Sequence, residues 1–237
     1  METLILFLTP PAAGKSQLRL AKQRSVADAV RLGSGFLEDT ARLCARWRTE
    51  RTGADQNRKV VFCVDGAVDD PLVKDLAALA GARIERQQAG PLGERLHHAF
   101  SIELDKGARA VCAIGSDTPT LPPWLLDHAF RALLWQRVVL GPTFNGGVWV
   151  LGVQRPAPDV FSSTPWSTPA LLAVMSERLR AQGIEPHVLP FWYDIDVASD
   201  LERLVWHARA LRAHDATAVD GTWRALTDTG LVVEGRL

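Results

Sequence analysis

The chain has 237 residues, of which 47% are hydrophobic and 23% charged, a composition typical of a globular protein with a buried core. Because 27 basic residues balance 27 acidic ones, the charge does not predict binding to nucleic acid or to a membrane surface. The N-terminus lacks the basic region of a signal peptide, and no apolar run approaches the ~18 residues of a membrane-spanning helix. We therefore expect a cytoplasmic protein in which Cys44, Cys63 and Cys112 are buried free thiols.

Segments with the patterns of strands and helices alternate along the chain. In chain order, the sequence predicts a strand at 4–8, a helical segment at 18–51 interrupted near 32–35, a strand at 60–64, a helix at 71–80, a strand at 82–85, a helix at 92–106, a strand at 110–114, a helix at 123–135, strands at 137–140 and 148–153, a helix at 168–182, a strand at 186–189 and a helix at 198–213. Residues 215–237 are predicted to be irregular or hairpin-like. We expect one domain over 1–213 and a C-terminal appendage at 214–237.

This alternation predicts a three-layer α/β/α fold around a mostly parallel sheet. Between Val138 and Val153, two strands are joined by a short Gly-rich loop that leaves no room for a crossover helix. One inserted strand is therefore expected to run antiparallel. Transferases of the GT-A type have such a sheet, and at this point the likeness is one of fold alone.

The predicted strand at 110–114 is the most informative part of the chain. Its five apolar residues favour a strand buried on both faces, and Gly115, Ser116 and Asp117 follow at its carboxyl end. Open α/β sheets bind ligands beyond the carboxyl ends of their strands, where an aspartate can hold a divalent cation. Asp117 could equally be a turn or helix-capping residue.

Two loops contain residues suited to a nucleotide. The loop at 9–19 includes Gly14, Lys15 and Arg19, so backbone amides and basic side chains could hold phosphate, although this is not a Walker A loop. An ordinary loop with solvated basic residues is the alternative. In the segment 90–96, Gly93 could admit a ligand close to Arg95 at the start of a helix. Glu94 could simply stabilise that helix terminus.

Two later segments complete the candidate site. Gly146 and Gly147 follow Asn145 in a loop that could wrap a small group, or could be a tight hairpin turn. In the segment 193–200, Asp194 and Asp196 point to the same side if the backbone is extended, and could share a divalent cation with the aspartate at 117.

In this order and spacing, the motifs resemble a GT-A group of arsenosugar-biosynthesis glycosyltransferases, related to the guanylyltransferase that activates 2-phospholactate. The matching residues are Pro11, Gly14, Arg19, Leu20, Leu92, Gly93, Glu94, Arg95, Gly115, Ser116, Asp117, Pro119, Leu121, Gly141, Pro142, Gly146, Gly147, Trp166, Thr168, Asp194, Ile195, Asp196, Asp200 and Leu201. The chain departs from the pattern at Thr9 and Gln17, where the group has lysines, at Leu18, where it has threonine, and at Asn145 and Val148, where it has aspartate and tyrosine.

The resemblance implies a metal-dependent transferase with a nucleotide-sugar donor and a small acceptor. Its expected residues are Asp117 and Asp196 for Mg²⁺ or Mn²⁺; Asp117, Asp194 and Asn145 for catalysis; Pro11, Gly14, Lys15, Arg19, Gly93, Glu94, Arg95 and Ser116 for the nucleotide; and Gly146, Gly147 and Trp166 for the acceptor. Nucleotidyl transfer to a phosphorylated small molecule is an alternative. A nucleotide-binding protein without catalytic activity is another, because two phosphate-neutralising lysines are replaced. The oligomeric state is not predicted.

Overall fold

The computed structural model describes residues 1–11, 18–50, 57–162 and 164–232. Within these ranges, the elements are β1 Glu2–Leu8, α1 Leu18–Gln23, α2 Val26–Thr49, β2 Arg58–Val64, α3 Pro71–Ala80, β3 Arg83–Arg86, α4 Leu92–Asp105, β4 Ala110–Ile114, α5 Pro123–Ala132, β5 Val138–Pro142, β6 Val148–Gln154, α6 Leu171–Ala181, β7 His187–Val188, α7 Ala198–His214 and α8 Asp220–Asp228.

The strands of the described residues form one sheet in the order β3-β2-β1-β4-β6-β5-β7. Strand β1 pairs in parallel with β2 and β4, and β2 pairs in parallel with β3. Strand β6 runs antiparallel to both β4 and β5. This arrangement confirms the predicted mostly parallel sheet with an inserted antiparallel strand.

The sheet separates two apolar cores, because the side chains of β1 alternate between its two faces. Leu4, Leu6 and Leu8 of β1 belong to a core with α2, α3 and α5, whereas Ile5 belongs to a core with α4 and α6 on the opposite face. The three-layer α/β/α prediction is therefore confirmed. Cys44, Cys63 and Cys112 are buried free thiols, also as predicted. None of the described helices is long and apolar enough to span a membrane.

The first helical region differs from the prediction. Helix α2 runs without interruption through 32–35, and the break lies before it, where the Ser25 side chain accepts a hydrogen bond from the Asp28 amide at 3.0 Å and caps the helix. Gly35 lies inside α2 because helix α8 packs closely against α2 at this position and leaves no room for a side chain. A Cβ at this position would lie far inside van der Waals contact with the Gly221 carbonyl oxygen of α8.

The predicted irregular C-terminal segment instead contains helix α8. Its N-terminus is capped from another helix, since the buried Asp39 carboxylate of α2 accepts hydrogen bonds from the Gly221 amide at 3.1 Å and the Thr222 amide at 2.7 Å. Residue pattern alone did not indicate this long-range cap. The division of the chain at 213 and 214 stays a prediction.

We expect Gly35→Ala to lower the free energy of unfolding by about 1–3 kcal/mol, because the added methyl group forces α2 and α8 apart. Helix propensity alone would change stability by up to ~1 kcal/mol in the opposite direction. Urea denaturation measures the difference, with the neighbouring Ser34→Ala as the matched control. A Gly35→Ala protein at least as stable as wild type would contradict the close packing of α8.

Candidate functional site

Asp117 lies just beyond the carboxyl end of β4, as the sequence predicts. A Cβ on Gly115 would be 2.8 Å from the Asp117 Oδ1 atom, so glycine leaves space for the carboxylate. The Ile195 amide donates a 2.8 Å hydrogen bond to the Asp117 carbonyl oxygen. This bond brings the segment with Asp194 and Asp196 to the end of β4.

The same segment also runs beside the end of β5. The Trp192 amide donates to the Pro142 carbonyl oxygen at 3.1 Å, and Trp192 and Thr143 form a parallel bridge. The β5–β6 loop therefore lies beside the segment that follows β7. Three parts of the chain that are distant in sequence meet at one edge of the sheet.

Asn145 is oriented by its neighbours. Its Oδ1 atom accepts hydrogen bonds from the Thr143 hydroxyl at 2.6 Å and the Gly147 amide at 3.1 Å. Its Nδ2 atom then donates to Asp194 Oδ2 at 2.7 Å. Because an aspartate cannot donate in this way when ionised, the asparagine places a neutral donor where the resemblance would place another negative charge.

A chain of hydrogen bonds connects the segment that carries Asp117 with the segment that carries Asp194. The Trp192 indole donates to the Thr120 hydroxyl at 3.3 Å, the Thr120 hydroxyl donates to the Tyr193 hydroxyl at 3.0 Å, and that hydroxyl lies 2.7 Å from His207 Nδ1 of α7. Thr120 belongs to the loop of Asp117, whereas Tyr193 adjoins Asp194 in sequence. The network therefore ties the two segments together, and sequence reasoning missed it.

The carboxylates interact electrostatically. The pKa of Asp117 is raised to about 6, first by burial and then by the neighbouring carboxylates of Asp194 and Asp196. Burial also raises the pKa of Asp194, against the lowering effect of the Asn145 hydrogen bond. Gathering like charges in this way costs stability unless a cation or a proton compensates them.

This donor set suits a hard divalent cation, since Mg²⁺ and Mn²⁺ favour carboxylate oxygen ligands. Within the described ranges, no group of three or more His, Cys, Asp or Glu side chains could hold a metal ion. A cation between Asp117 and Asp196 would therefore need further ligands. Phosphate oxygens and water commonly complete the coordination of Mg²⁺ when the protein supplies one or two carboxylates.

A cavity of about 590 Å³ opens at this edge of the sheet, within the usual range for small-molecule sites. Six of the residues predicted from the sequence line it: Asp117, Asn145, Gly147, Trp166, Asp194 and Asp196. Phe7, Leu96, Thr143 and Trp149 also line it but were not predicted. Thr143 carried a weak signal, because it precedes the Asn-Gly-Gly sequence by two residues.

The cavity wall beyond the aspartates depends on two glycines. A Cβ on Gly93 would overlap the Trp166 indole, so Gly93 admits a tryptophan rather than leaving open space for a ligand. Gly146 has φ of 86° and no room for a Cβ beside the Pro169 carbonyl oxygen. Both glycines therefore position the segment that follows β6.

Among the predicted nucleotide residues, Arg95 lies in a different part of the edge. The Arg95 Nη1 atom donates hydrogen bonds to the Asp65 carboxylate at 3.1 Å and to the Gln87 side-chain oxygen at 2.5 Å. The Arg95 guanidinium carbon also lies 5.8 Å from the centre of the Phe7 ring. These contacts join the carboxyl ends of β1, β2 and β3. Sequence reasoning missed these contacts because Asp65 and Gln87 follow two other strands, 30 and 8 residues before Arg95.

The other predicted nucleotide residues do not form part of the described cavity lining. Pro11 is buried, Ser116 is half-buried and Glu94 is exposed at the start of α4. Gly14, Lys15 and the Arg19 side chain lie outside the described residues. Their assignments stay predictions.

The fold is that of nucleotide-diphospho-sugar transferase-like proteins. A structure from Desulfovibrio desulfuricans G20, named provisionally as a nucleotide-diphospho-sugar transferase, matches with a TM-score of 0.81 at 25% identity over 97% of this chain and 95% of its own. Residues 49–168, slightly more than half of the chain, match a family described as uncharacterized proteins conserved in bacteria (DUF2064), to which the chain belongs. The narrower arsenosugar resemblance is not confirmed.

Two more distant structures share the fold. The 4-diphosphocytidyl-2C-methyl-D-erythritol synthase of Anaerococcus prevotii matches with a TM-score of 0.52 at 10% identity over 86% of this chain and 95% of its own. Glucosyl-3-phosphoglycerate synthase of Mycobacterium tuberculosis matches with a TM-score of 0.51 at 13% identity over 99% of this chain and 80% of its own. At these identities the likeness establishes the fold alone. No curated protein sequence matches the chain.

We expect Asp117→Asn to raise the free energy of unfolding by about 1–2 kcal/mol at pH 7.5 in chelator, and to change it little near pH 3.5. Folding raises the pKa of Asp117 from 3.8 to about 6, so the ionised carboxylate destabilises the fold above pH 6 and the cost disappears as the group is protonated. Urea denaturation at both pH values measures the effect. The exposed Asp75→Asn is the control, and an equal effect at both pH values would contradict the electrostatic origin.

We expect Asn145→Asp to lower the free energy of unfolding by about 1 kcal/mol without metal, because the variant loses the donor to Asp194 and adds a like charge. Asn145→Ala removes the hydrogen bond without adding charge and is the matched control. Mn²⁺ should raise the melting temperature of the aspartate variant more than that of the alanine variant. Equal shifts in the two variants would show that the carboxylates do not share a cation.

Proposed function

We propose that this protein is a divalent-metal-dependent transferase that uses a nucleotide-activated donor, most simply a nucleotide sugar, and a small acceptor. The observation that carries the proposal is the gathering of Asp117, Asp194 and Asp196 at the carboxyl end of β4, beside an open cavity. Open α/β sheets bind ligands in this position. The raised pKa of Asp117 beside two other carboxylates that line the same cavity supports a cation-dependent site in which the protein supplies two carboxylate ligands.

Asp117 and Asp196 would hold Mg²⁺ or Mn²⁺, and Asp194 would support them. A bound cation would neutralise charge on the donor diphosphate and on the departing nucleotide. The predicted nucleotide residues of the first loop and of α4 would hold the base, ribose and phosphates. Gly146, Gly147 and Trp166 would face the acceptor.

In glycosyl transfer, the acceptor hydroxyl oxygen would bond to the anomeric carbon of the sugar. The bond from that carbon to the diphosphate oxygen would break, and the nucleoside diphosphate would leave with the bonding electrons. The hydroxyl proton would pass to the carboxylate of Asp194. Asn145 donates a hydrogen bond to the Oδ2 atom of this carboxylate and so orients it.

The comparisons support this proposal at the level of class. The structure from D. desulfuricans, at 25% identity over nearly the whole chain, carries the provisional name of a nucleotide-diphospho-sugar transferase. The M. tuberculosis synthase was solved with Mn²⁺, uridine diphosphate and phosphoglyceric acid. Nucleotidyl transfer is the second candidate, because the fold is shared with the A. prevotii synthase, named for a diphosphocytidyl product.

We expect Asp117→Asn and Asp196→Asn each to weaken Mn²⁺-dependent nucleotide binding at least about tenfold, since each removes a carboxylate ligand. Calorimetric titration with nucleoside diphosphates, with and without Mn²⁺, measures the change, and Asp75→Asn is the control. Both variants should remain folded, because removing one of several repelling carboxylates need not destabilise the protein.

Unchanged affinity in both variants would contradict the metal site. Incubation with nucleotide sugars or nucleoside triphosphates separates the two reactions, since glycosyl transfer releases a nucleoside diphosphate and nucleotidyl transfer releases pyrophosphate. Binding without release of either product would favour a protein that kept the nucleotide site and lost the chemistry. Such a result is consistent with Thr9 standing where the resemblance has a lysine.

A further inference from the structure

One side of the cavity is lined by apolar side chains. Leu92 at the start of α4, Val148 at the start of β6, and Trp166 are each only partly buried against the apolar core, and all three line the cavity. We call these three residues the apolar wall. Their remaining exposed surface faces space that a ligand could fill, and covering it would be favourable.

The indole groups at the cavity present carbon rather than hydrogen-bond donors. The Trp166 N–H group donates to the Phe161 carbonyl oxygen at 3.3 Å, and the Trp149 N–H group donates to the Pro190 carbonyl oxygen at 3.2 Å. The Trp166 ring also lies against Gly93 and stacks with the Phe161 ring, with 6.4 Å between centroids. A fixed indole with its donor already used suits the apolar face of a ring or chain.

Val148 extends the wall to the acceptor side of the proposed site, because it follows Gly147 directly. Strand β6, which begins at Val148, pairs with β4 on the edge opposite to β1. Arg95, one of the predicted nucleotide residues, instead lies at the ends of β1, β2 and β3, where it donates hydrogen bonds to Asp65 and Gln87. A donor whose diphosphate reaches Asp117 from that direction would leave the wall to the second substrate.

The charges in the cavity also restrict the charge of the second substrate, the acceptor. The charged side chains described along the cavity are the carboxylates of Asp117, Asp194 and Asp196. One divalent cation carries two positive charges against the three carboxylates. A phosphate or carboxylate on the acceptor would add like charge at this point.

Resting on the proposed function, we infer that the acceptor is an uncharged hydroxyl compound whose apolar ring or chain lies against the apolar wall. Its hydroxyl group would face Asp194, and its apolar body would cover Trp166 and Leu92. This inference favours glycosyl transfer over transfer to a phosphorylated small molecule.

Three compounds that share a phenyl ring but differ in charge test the inference: benzyl alcohol, benzoate and benzyl phosphate. Ligand-observed NMR titration of the full chain, with Mg²⁺ and uridine diphosphate, should show benzyl alcohol binding at least about tenfold more tightly than either anion. Trp166→Ala should weaken benzyl alcohol binding about tenfold and leave nucleotide affinity within about twofold of wild type. Trp206→Ala is the control, because Trp206 is 62% exposed on α7 and does not line the cavity.

Val148→Thr provides a second variant, since it adds a hydroxyl group to the wall and should weaken benzyl alcohol binding. The protein should still fold, because Val148 is only partly buried and the hydroxyl group can keep contact with water. Tighter binding of an anion would overturn the inference. Equal loss of nucleotide and benzyl alcohol affinity in Trp166→Ala would also overturn it, because the wall would then belong to the donor. A wild-type protein that binds benzyl alcohol but no nucleotide, even with metal, would contradict the transferase proposal. The inference that the apolar wall binds an uncharged apolar hydroxyl compound would still hold.

Discussion

The site depends on holding three mutually repelling carboxylates at the end of one strand. The backbone hydrogen bond from Ile195 to Asp117 brings the two aspartate segments together, and it does so through groups that carry no charge. The Thr120 and Tyr193 hydroxyls add a second link between the same segments. Because both links come from packed backbone and buried side chains, the fold can keep the carboxylates close without a cation, at a cost in stability.

Asn145 limits that cost. Its side chain donates to Asp194 while the Thr143 hydroxyl and the Gly147 amide occupy its oxygen, so its orientation is determined by three hydrogen bonds. An aspartate here would add a fourth negative group near the others. The chain thus combines a strongly acidic site with one neutral donor, and this balance distinguishes it from the motif that it resembles.

The sequence predicted the fold well because uninterrupted apolar strands and short Gly-rich connections leave few alternatives in an α/β protein. It predicted that Asp117, Asp194 and Asp196 would lie near one another, because Asp117 follows a buried strand and alternate residues of an extended segment point to one side, and all three line one cavity. It failed where distant residues decide the local structure. Gly35 suggested a helix break until its contact with α8 was known, and Gly93 suggested a ligand site although Trp166 fills its space.

The central claim is that these carboxylates bind a divalent cation together with a nucleotide. The most direct measurement is a crystal structure of the protein grown with Mn²⁺ and a nucleoside diphosphate, in which anomalous scattering locates the metal. The account predicts a manganese peak within about 2–2.5 Å of carboxylate oxygens of Asp117 and Asp196, with phosphate oxygens among its other ligands. A nucleotide bound elsewhere, or bound here with no metal at these aspartates, would contradict it.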